Sequence, residues 1–363
     1  MRRAELDFDR PPALQAGAPP EHRGLARDEV RLLVSTERGH EHARFRDLPR
    51  FLPPGTLLVV NTSATLPASL PARHPHLGPL VANVSTRYGG GLYLVELRWS
   101  ADRPGPLPVE AGDSLEIAGL PARLAAPHPG LPRLWFLRVD SDLQEAMRRA
   151  GTPIRYSYLE WPYPPLQAYQ TLFAREPGSA EIASAARPFT ARVVEALQAR
   201  GIGLESVTLH AGVSSHELEA DEVEDHVLYA EPFEVPERTA AAVTAARQEG
   251  RPVIAVGTTV VRALESAWDG DRVRPAAGFT RLLVHPGRPV RSVDGLITGL
   301  HDPLASHLAM LYAIAPRELV RQGYEEAVRE GYLWHEFGDS HLLVSSAFIA
   351  PAPAPAPPGP PAW

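Results

Sequence analysis

The spacing of apolar residues changes character along the chain. Between residues 80 and 140 it comes in short runs separated by turns, at 80–84, 92–99, 115–117 and 134–139, with Gly89-Gly90-Gly91 between the first two. Only 141–150 nearby has helical character, so this stretch predicts a small antiparallel β barrel or sandwich. After residue 178 the texture alternates. Val193, Val194 and Leu197 stand at helical spacing in 190–200, which stops at Gly201 with Thr190 placed to cap its start. Residues 236–249 are alanine-rich and end at Gly250, as a helix does. The run Val253-Ile254-Ala255-Val256 suits a buried parallel strand and leads through Gly257-Thr258-Thr259 into a helix reaching Trp268. Further strands are predicted at 207–209, 282–284, 296–297 and 342–344. Further helices are predicted from Asp302-Pro303 to about residue 314 and over 316–330. This succession argues for a three-layer α/β domain.

The ends and the connector carry weaker patterns. Within residues 1–55 the convincing strand is 31–34, and a second runs over 56–60, out of Pro53-Pro54-Gly55 and into Asn61-Thr62-Ser63. Residues 151–177 are rich in Pro, Tyr and Trp and read either as a rigid connector or, through Tyr156, Tyr158, Trp161, Tyr163 and Tyr169, as a stacking surface for a base. The Pro-Ala repeats of 351–363 read as a disordered, polyproline-like tail.

Composition narrows the classes. At 363 residues and 44% hydrophobic, the chain can bury one large core or two medium ones. The absence of cysteine removes disulfides, thiolate nucleophiles and Cys metal sites. The basic start at Arg2-Arg3 meets acidic residues before any apolar run, and no apolar stretch reaches the roughly 18 residues of a membrane span, so a cytoplasmic protein without a membrane partner is expected. A net charge of −7 announces no globally basic surface, although a local patch can still bind RNA.

The strongest local site is strand, Gly257-Thr258-Thr259, helix. A glycine at a strand end admits a ligand close to the backbone, and the free amides of the next helix bind a carboxylate or phosphate. A tight turn with a capping threonine is the plainer reading, and no P-loop pattern is present. Arg262 and Glu265, three apart on that helix, form either a surface pair or an anion contact with its orienting carboxylate. His210 follows a strand and can exchange a proton near neutral pH. His216-Glu217, Asp225-His226, His301-Asp302 and His335-Glu336 are adjacent pairs, weak evidence for joined chemistry. No zinc motif is present, and His301 and His307, taken as lying on one helix, fall on poorly matched faces, so no metal is expected. Asn61 and Asp339 offer polar groups on loops, for a ligand or for the turns themselves.

Several segments together resemble the S-adenosylmethionine:tRNA ribosyltransferase-isomerase family of queuosine formation. They are Leu58-Val59-Val60-Asn61 with Leu66-Pro67-Ala68, Tyr169-Gln170-Thr171-Leu172-Phe173, Pro177-Gly178-Ser179, Thr208-Leu209-His210 with Gly212, and Val223-Glu224-Asp225-His226. The series continues through Val256-Gly257-Thr258-Thr259 to Ser266, Ile297-Thr298 with His301 and Pro303, and Phe337-Gly338-Asp339. The resemblance implies a main α/β domain formed by residues 1–60 and 151–350, an inserted antiparallel β domain over 61–150, and the tail beyond. It implies transfer and isomerisation of the ribosyl part of S-adenosylmethionine onto 7-aminomethyl-7-deazaguanine in tRNA, giving epoxyqueuosine-tRNA, adenine and methionine. S-adenosylmethionine is then a substrate, and no cofactor is retained. On that reading His210 is a candidate base, and Gly257, Thr258, Thr259 and Arg262 suit the methionine carboxylate. His301 or the 179–189 loop holds adenine, Asp225, Glu265 and Asp339 orient donors or meet the ammonium, and Asn61, which offers its amide to a nucleoside or a substrate backbone, is counted with the S-adenosylmethionine-binding residues.

The chain also departs from the family pattern. Pro188 stands where a histidine is common, and Ala64 and Ser69 stand where arginines are common. Serine cannot replace an arginine fork. Three readings follow: the tRNA reaction, S-adenosylmethionine chemistry on a small-molecule acceptor, or a noncatalytic homologue.

Overall fold

The computed structural model describes residues 1–161, 165–213, 218 and 220–349, so Tyr163, His216-Glu217 and the 351–363 tail lie outside the described residues. Nine strands form the main sheet. At its centre Gly203–Leu209, Leu57–Asn61, Val253–Val256 and Gly295–Gly299 run parallel, so their carboxyl ends share one edge. Ser340–Val344 lies antiparallel beside Gly295–Gly299, followed by Arg31–Thr36 and the edge strand Gly39–Arg44. Glu231–Val235 and Ala276–Thr280 complete the opposite side in antiparallel pairing.

The central strands are apolar at successive positions because both faces of the sheet are covered. Leu57, Val59, Ala255, Leu296 and Leu343 pack with the helices Glu237–Gln248, Thr258–Ser266, Ser306–Ile314 and Arg317–Arg329. Their neighbours Leu58, Val60, Ile254, Ile297 and Leu342 pack in a second core with Leu48–Phe51 and Ala191–Ala199. Alternation of side chains along each strand therefore builds a helix–sheet–helix sandwich.

Ser69–His74, Gly78–Gly89, Leu92–Arg98, Ser114–Ile117, Leu120–His128 and Leu131–Val139 close into a six-stranded antiparallel barrel, which leaves no open edge. The helix Leu143–Ala150 starts where Asp142 accepts a bond from the Gln144 amide, and it adds Leu143, Ala146 and Met147 to the barrel core. Ser63–Thr65 and Glu176–Ser179 pair in parallel where the chain enters and leaves this part.

Several local expectations change. Residues 282–284 are not a strand: Leu282 and Val284 are apolar because they pack in the core, while Ala276–Thr280, mostly exposed and weakly patterned, holds the sheet edge. The helix expected from Asp302-Pro303 begins at Ser306, since Leu304 takes φ +60° and its amide is bonded to the Leu6 carbonyl. Thr190 precedes the helix Ala191–Ala199 but does not cap it; its hydroxyl donates to Asp28 at 2.6 Å. The polar strand Gly39–Arg44 carries no apolar signal and forms by pairing with Arg31–Thr36.

Candidate active site

Open α/β sheets bind ligands beyond the carboxyl ends of their parallel strands. Here a cavity of about 370 Å³ opens past Val256 and Thr298, and is closed by residues from 156–158, 181–185, 300–307 and 335–336. Gly257 sits in its wall with φ +101°, a backbone that favours glycine, and its amide donates to the Ile297 carbonyl at 2.8 Å. The helix Thr258–Ser266 starts immediately, so Thr258 and Thr259 bring first-turn amides, without partners inside the helix, to the cavity wall.

Asn61, at the end of the neighbouring strand, does not line this cavity. Its Nδ2 donates to the Leu209 carbonyl at 2.9 Å and to Thr259 Oγ1 at 3.1 Å, while Oδ1 accepts from the amides of Leu209 and Ser63 at 3.1 and 3.0 Å. It therefore ties three strand ends together and sets the Thr259 side chain.

His301 does line the cavity. Its Nε2 lies 2.8 Å from Thr298 Oγ1, and its ring stacks on His307 with centroids 4.6 Å apart. The two rings meet because His301 lies in the loop before the helix that carries His307, not on that helix. Burial holds His301 well below the usual imidazole range and pushes His307 down to about 4, so both are neutral at pH 7.

An acidic and aromatic group occupies another part of the wall. Tyr156 and Tyr158 lie nearly parallel at 5.6 Å, and Tyr158 stacks on His335 at 4.6 Å. The Tyr156 hydroxyl donates to Glu181, and the Tyr158 hydroxyl reaches Glu336 Oε2 at 3.5 Å. Burial, with the Glu181 charge adding to it, pushes Glu336 up to about 8. His335 is held by Asp302, which also meets Arg10 Nε at 3.1 Å. Glu181 escaped the sequence reading because a lone acid in a loop has no pattern; its loop, 179–189, was the only signal.

The other candidates are placed elsewhere. His210 lines a second cavity of about 210 Å³, on the barrel side, with Ser85, Thr86 and Gln144. Its Nδ1 lies 2.7 Å from Ser63 Oγ, which lies 2.6 Å from Ser179 Oγ, and burial lowers its pKa. Ala211, the next residue, lines the first cavity, so residues 210–211 form a wall between the two. Arg262 does not face the Gly257 cavity: it pairs with Glu231, whose other oxygen accepts from the Gly212 amide at 2.9 Å. Glu265 faces neither Arg262 nor the cavity, because it accepts from the amides of Arg291 and Ser292 and from Ser292 Oγ, each at 2.7 Å. Asp339 clamps the Arg31 and Leu333 amides at 2.7 and 2.8 Å. Asp225 is exposed on the short turn Val223–Asp225 and lines neither cavity. Arg187, beside Pro188, is buried against Glu21 and the Ala168 carbonyl, so its charge holds the N-terminal segment.

A family model described as queuosine biosynthesis protein matches residues 3–343. The chain belongs to this family. The S-adenosylmethionine:tRNA ribosyltransferase-isomerase of Anaeromyxobacter sp. (strain Fw109-5) is 37% identical, over 94% of this chain and 99% of its own length. The enzyme of the same name from Rubrobacter xylanophilus is 39% identical over 95% of this chain and 98% of its own. The crystal structure of S-adenosylmethionine tRNA ribosyltransferase from Thermotoga maritima matches with a TM-score of 0.53 at 27% identity, covering 94% of this chain and all of that one. No helix among the described residues is long and apolar enough to cross a membrane.

Proposed function

We propose that the chain transfers the ribosyl moiety of S-adenosylmethionine to 7-aminomethyl-7-deazaguanine in tRNA and isomerises it, releasing adenine and methionine. Family membership over nearly the whole chain supports the reaction class, and relatives matched almost end to end favour the tRNA acceptor over a small molecule. The observation that carries the site is the cavity of about 370 Å³ at the carboxyl ends of Val253–Val256 and Gly295–Gly299. Its volume suits a ligand of nucleoside size with a short tail.

The methionine carboxylate is assigned to the Thr258 and Thr259 amides, where the helix field favours an anion. Asn61 acts from behind by fixing Thr259. Arg262, committed to Glu231, is not needed for that contact. With Nε2 donating to Thr298 Oγ1, neutral His301 keeps the Nδ1 lone pair to accept a proton next to the sulfonium, where the positive sulfur stabilises the developing carbanion. His210, opening on the second cavity, is assigned to the acceptor side. The substrate itself supplies the leaving groups, so no retained cofactor enters the scheme.

A crystal structure with bound S-adenosylmethionine tests the placement. The carboxylate is expected within hydrogen-bond distance of the Thr258 or Thr259 amide. Its appearance on Arg262, or the whole ligand in the His210 cavity, would overturn the assignment.

A further inference from the structure

With the large cavity taken as the S-adenosylmethionine site, we propose that Glu336 is the acid that grips the N7/N6 edge of the adenine and protonates N7 as the glycosidic bond breaks. The inference rests on that reading of the cavity and adds a residue and an atom to it.

The chemistry of the edge decides which group can serve. Adenine presents an acceptor at N7 beside a donor at its exocyclic amine. A protonated carboxyl group presents the complement, an O–H donor beside a carbonyl acceptor, whereas a carboxylate presents acceptors only. Glu336 lines the cavity, where burial raises its pKa to about 8 and so keeps the proton on at pH 7. Glu181 stands in the same wall, and Tyr158 offers one long bond at 3.5 Å. Among the described residues no cation pairs with Glu336: Arg10 is taken by Asp302, and Arg187, whose charge pulls the Glu336 pKa the other way, is paired with Glu21. Of the histidines in the wall, His335 is bonded to Asp302, His301 to Thr298, and His307 stacks on His301 and is neutral. The parallel Tyr156 and Tyr158 rings, with His335 behind, supply flat faces where a planar base can lie.

In the step itself the C1′–N9 bond breaks, its electron pair passes into the adenine ring, and the positive charge left on C1′ is shared by the ribose ring oxygen as an oxocarbenium. The Glu336 proton moves to N7, so adenine leaves as a neutral 7H tautomer. Glu336 remains as a carboxylate and regains a proton from solvent after the base departs. Glu181 contributes as a positioning residue, since its charge keeps the Glu336 proton in place.

The test compares wild type with Glu336→Gln, using S-adenosylmethionine and its 7-deaza analogue, in which N7 is replaced by C–H. The amide of Gln keeps a donor and an acceptor but delivers no proton. KM for S-adenosylmethionine is therefore expected to stay within about threefold, while kcat falls by about 10²–10⁴-fold. The wild type should lose a similar factor on the 7-deaza analogue, and Glu336→Gln should lose little more. Wild-type kcat should fall as pH rises past about 8, a limb absent from Glu336→Gln and moved to lower pH in Glu181→Gln. Unchanged kcat in Glu336→Gln, or an equal penalty for the analogue in both enzymes, would overturn the proposal. So would a raised KM with kcat intact, the mark of an ionic contact to the ammonium. A wild type that neither binds S-adenosylmethionine nor releases adenine would instead remove the reading of the cavity on which the proposal rests.

Discussion

At the residue scale, two side chains carry unusual weight. Asn61 satisfies the backbone of Leu209 from both sides and also holds Ser63 and Thr259. Asn61→Ala leaves several of these buried groups unpaired, so a loss of about 2–4 kcal/mol is expected. Urea unfolding should show it as a lower midpoint at constant slope; an unchanged midpoint would mean the strand ends are held by other contacts. Glu336 gives a pH-dependent prediction. Its pKa is raised in the folded state, so the native protein binds the extra proton and loses stability as pH rises from about 4.5 toward about 8. Glu336→Gln should therefore melt higher than wild type at pH 8, with the two converging near pH 4. Equal melting temperatures at pH 8 would show that Glu336 ionises freely. Asn61 could be read as a polar group closing an apolar strand, for a ligand or for the turn, but its bonds to Leu209 and Thr259 could not, because those partners lie far along the chain. Glu181 could not be read, since its partners Tyr156 and Glu336 come from segments far away in sequence.

At the scale of elements, Gly257 joins strand, helix and cavity. A Cβ there would meet nothing closer than Ala185 Cβ at 3.5 Å, so backbone strain decides the outcome of substitution. At φ +101° an alanine costs about 1–3 kcal/mol, met by turning the peptide at the helix start. Gly257→Ala should weaken S-adenosylmethionine binding about tenfold or more in calorimetric titration, and unaltered affinity would remove the helix start from the site. The strand 253–256 and the helix after it were legible because a continuous apolar run, a glycine and helical spacing agree. The start of the next helix was misread for a physical reason: Asp302 and Pro303 have the chemistry of a cap, but Asp302 is bound to Arg10 and His335, and Leu304 turns the chain the other way. That loop brings His301 against His307, a contact that spacing on one helix had argued against.

At the scale of the whole molecule, the barrel meets the α/β body beside the wall that separates the two cavities. The Val213 amide donates to Ser85 Oγ at 3.0 Å, Tyr88 donates to the Ala230 carbonyl at 3.1 Å, and Tyr229 packs with Leu94, Leu131 and Leu134 of the barrel. Gly212 allows that approach: a Cβ there would lie 2.3 Å from Ser85 Oγ and 2.5 Å from the Tyr229 hydroxyl. Gly212→Ala is therefore expected to cost about 1–3 kcal/mol by overpacking. It should lower tRNA-dependent turnover while leaving S-adenosylmethionine affinity within about twofold; a large loss of that affinity would show that the two cavities are not independent. The layered body and the barrel were legible from the change in apolar spacing, because covered sheets and closed barrels impose different patterns. Their junction was not, since it depends on a missing Cβ and on single hydroxyls.

The most direct test follows the ribosyl carbon. Protein is incubated with S-adenosylmethionine labelled in the ribose and tRNA bearing 7-aminomethyl-7-deazaguanine, and the label in tRNA is counted beside free adenine and methionine. Label transferred, adenine and methionine are expected in equal amounts, all dependent on the precursor-bearing tRNA. Release of adenine with the label retained on a small molecule, or no turnover with that tRNA, would contradict the proposed transfer.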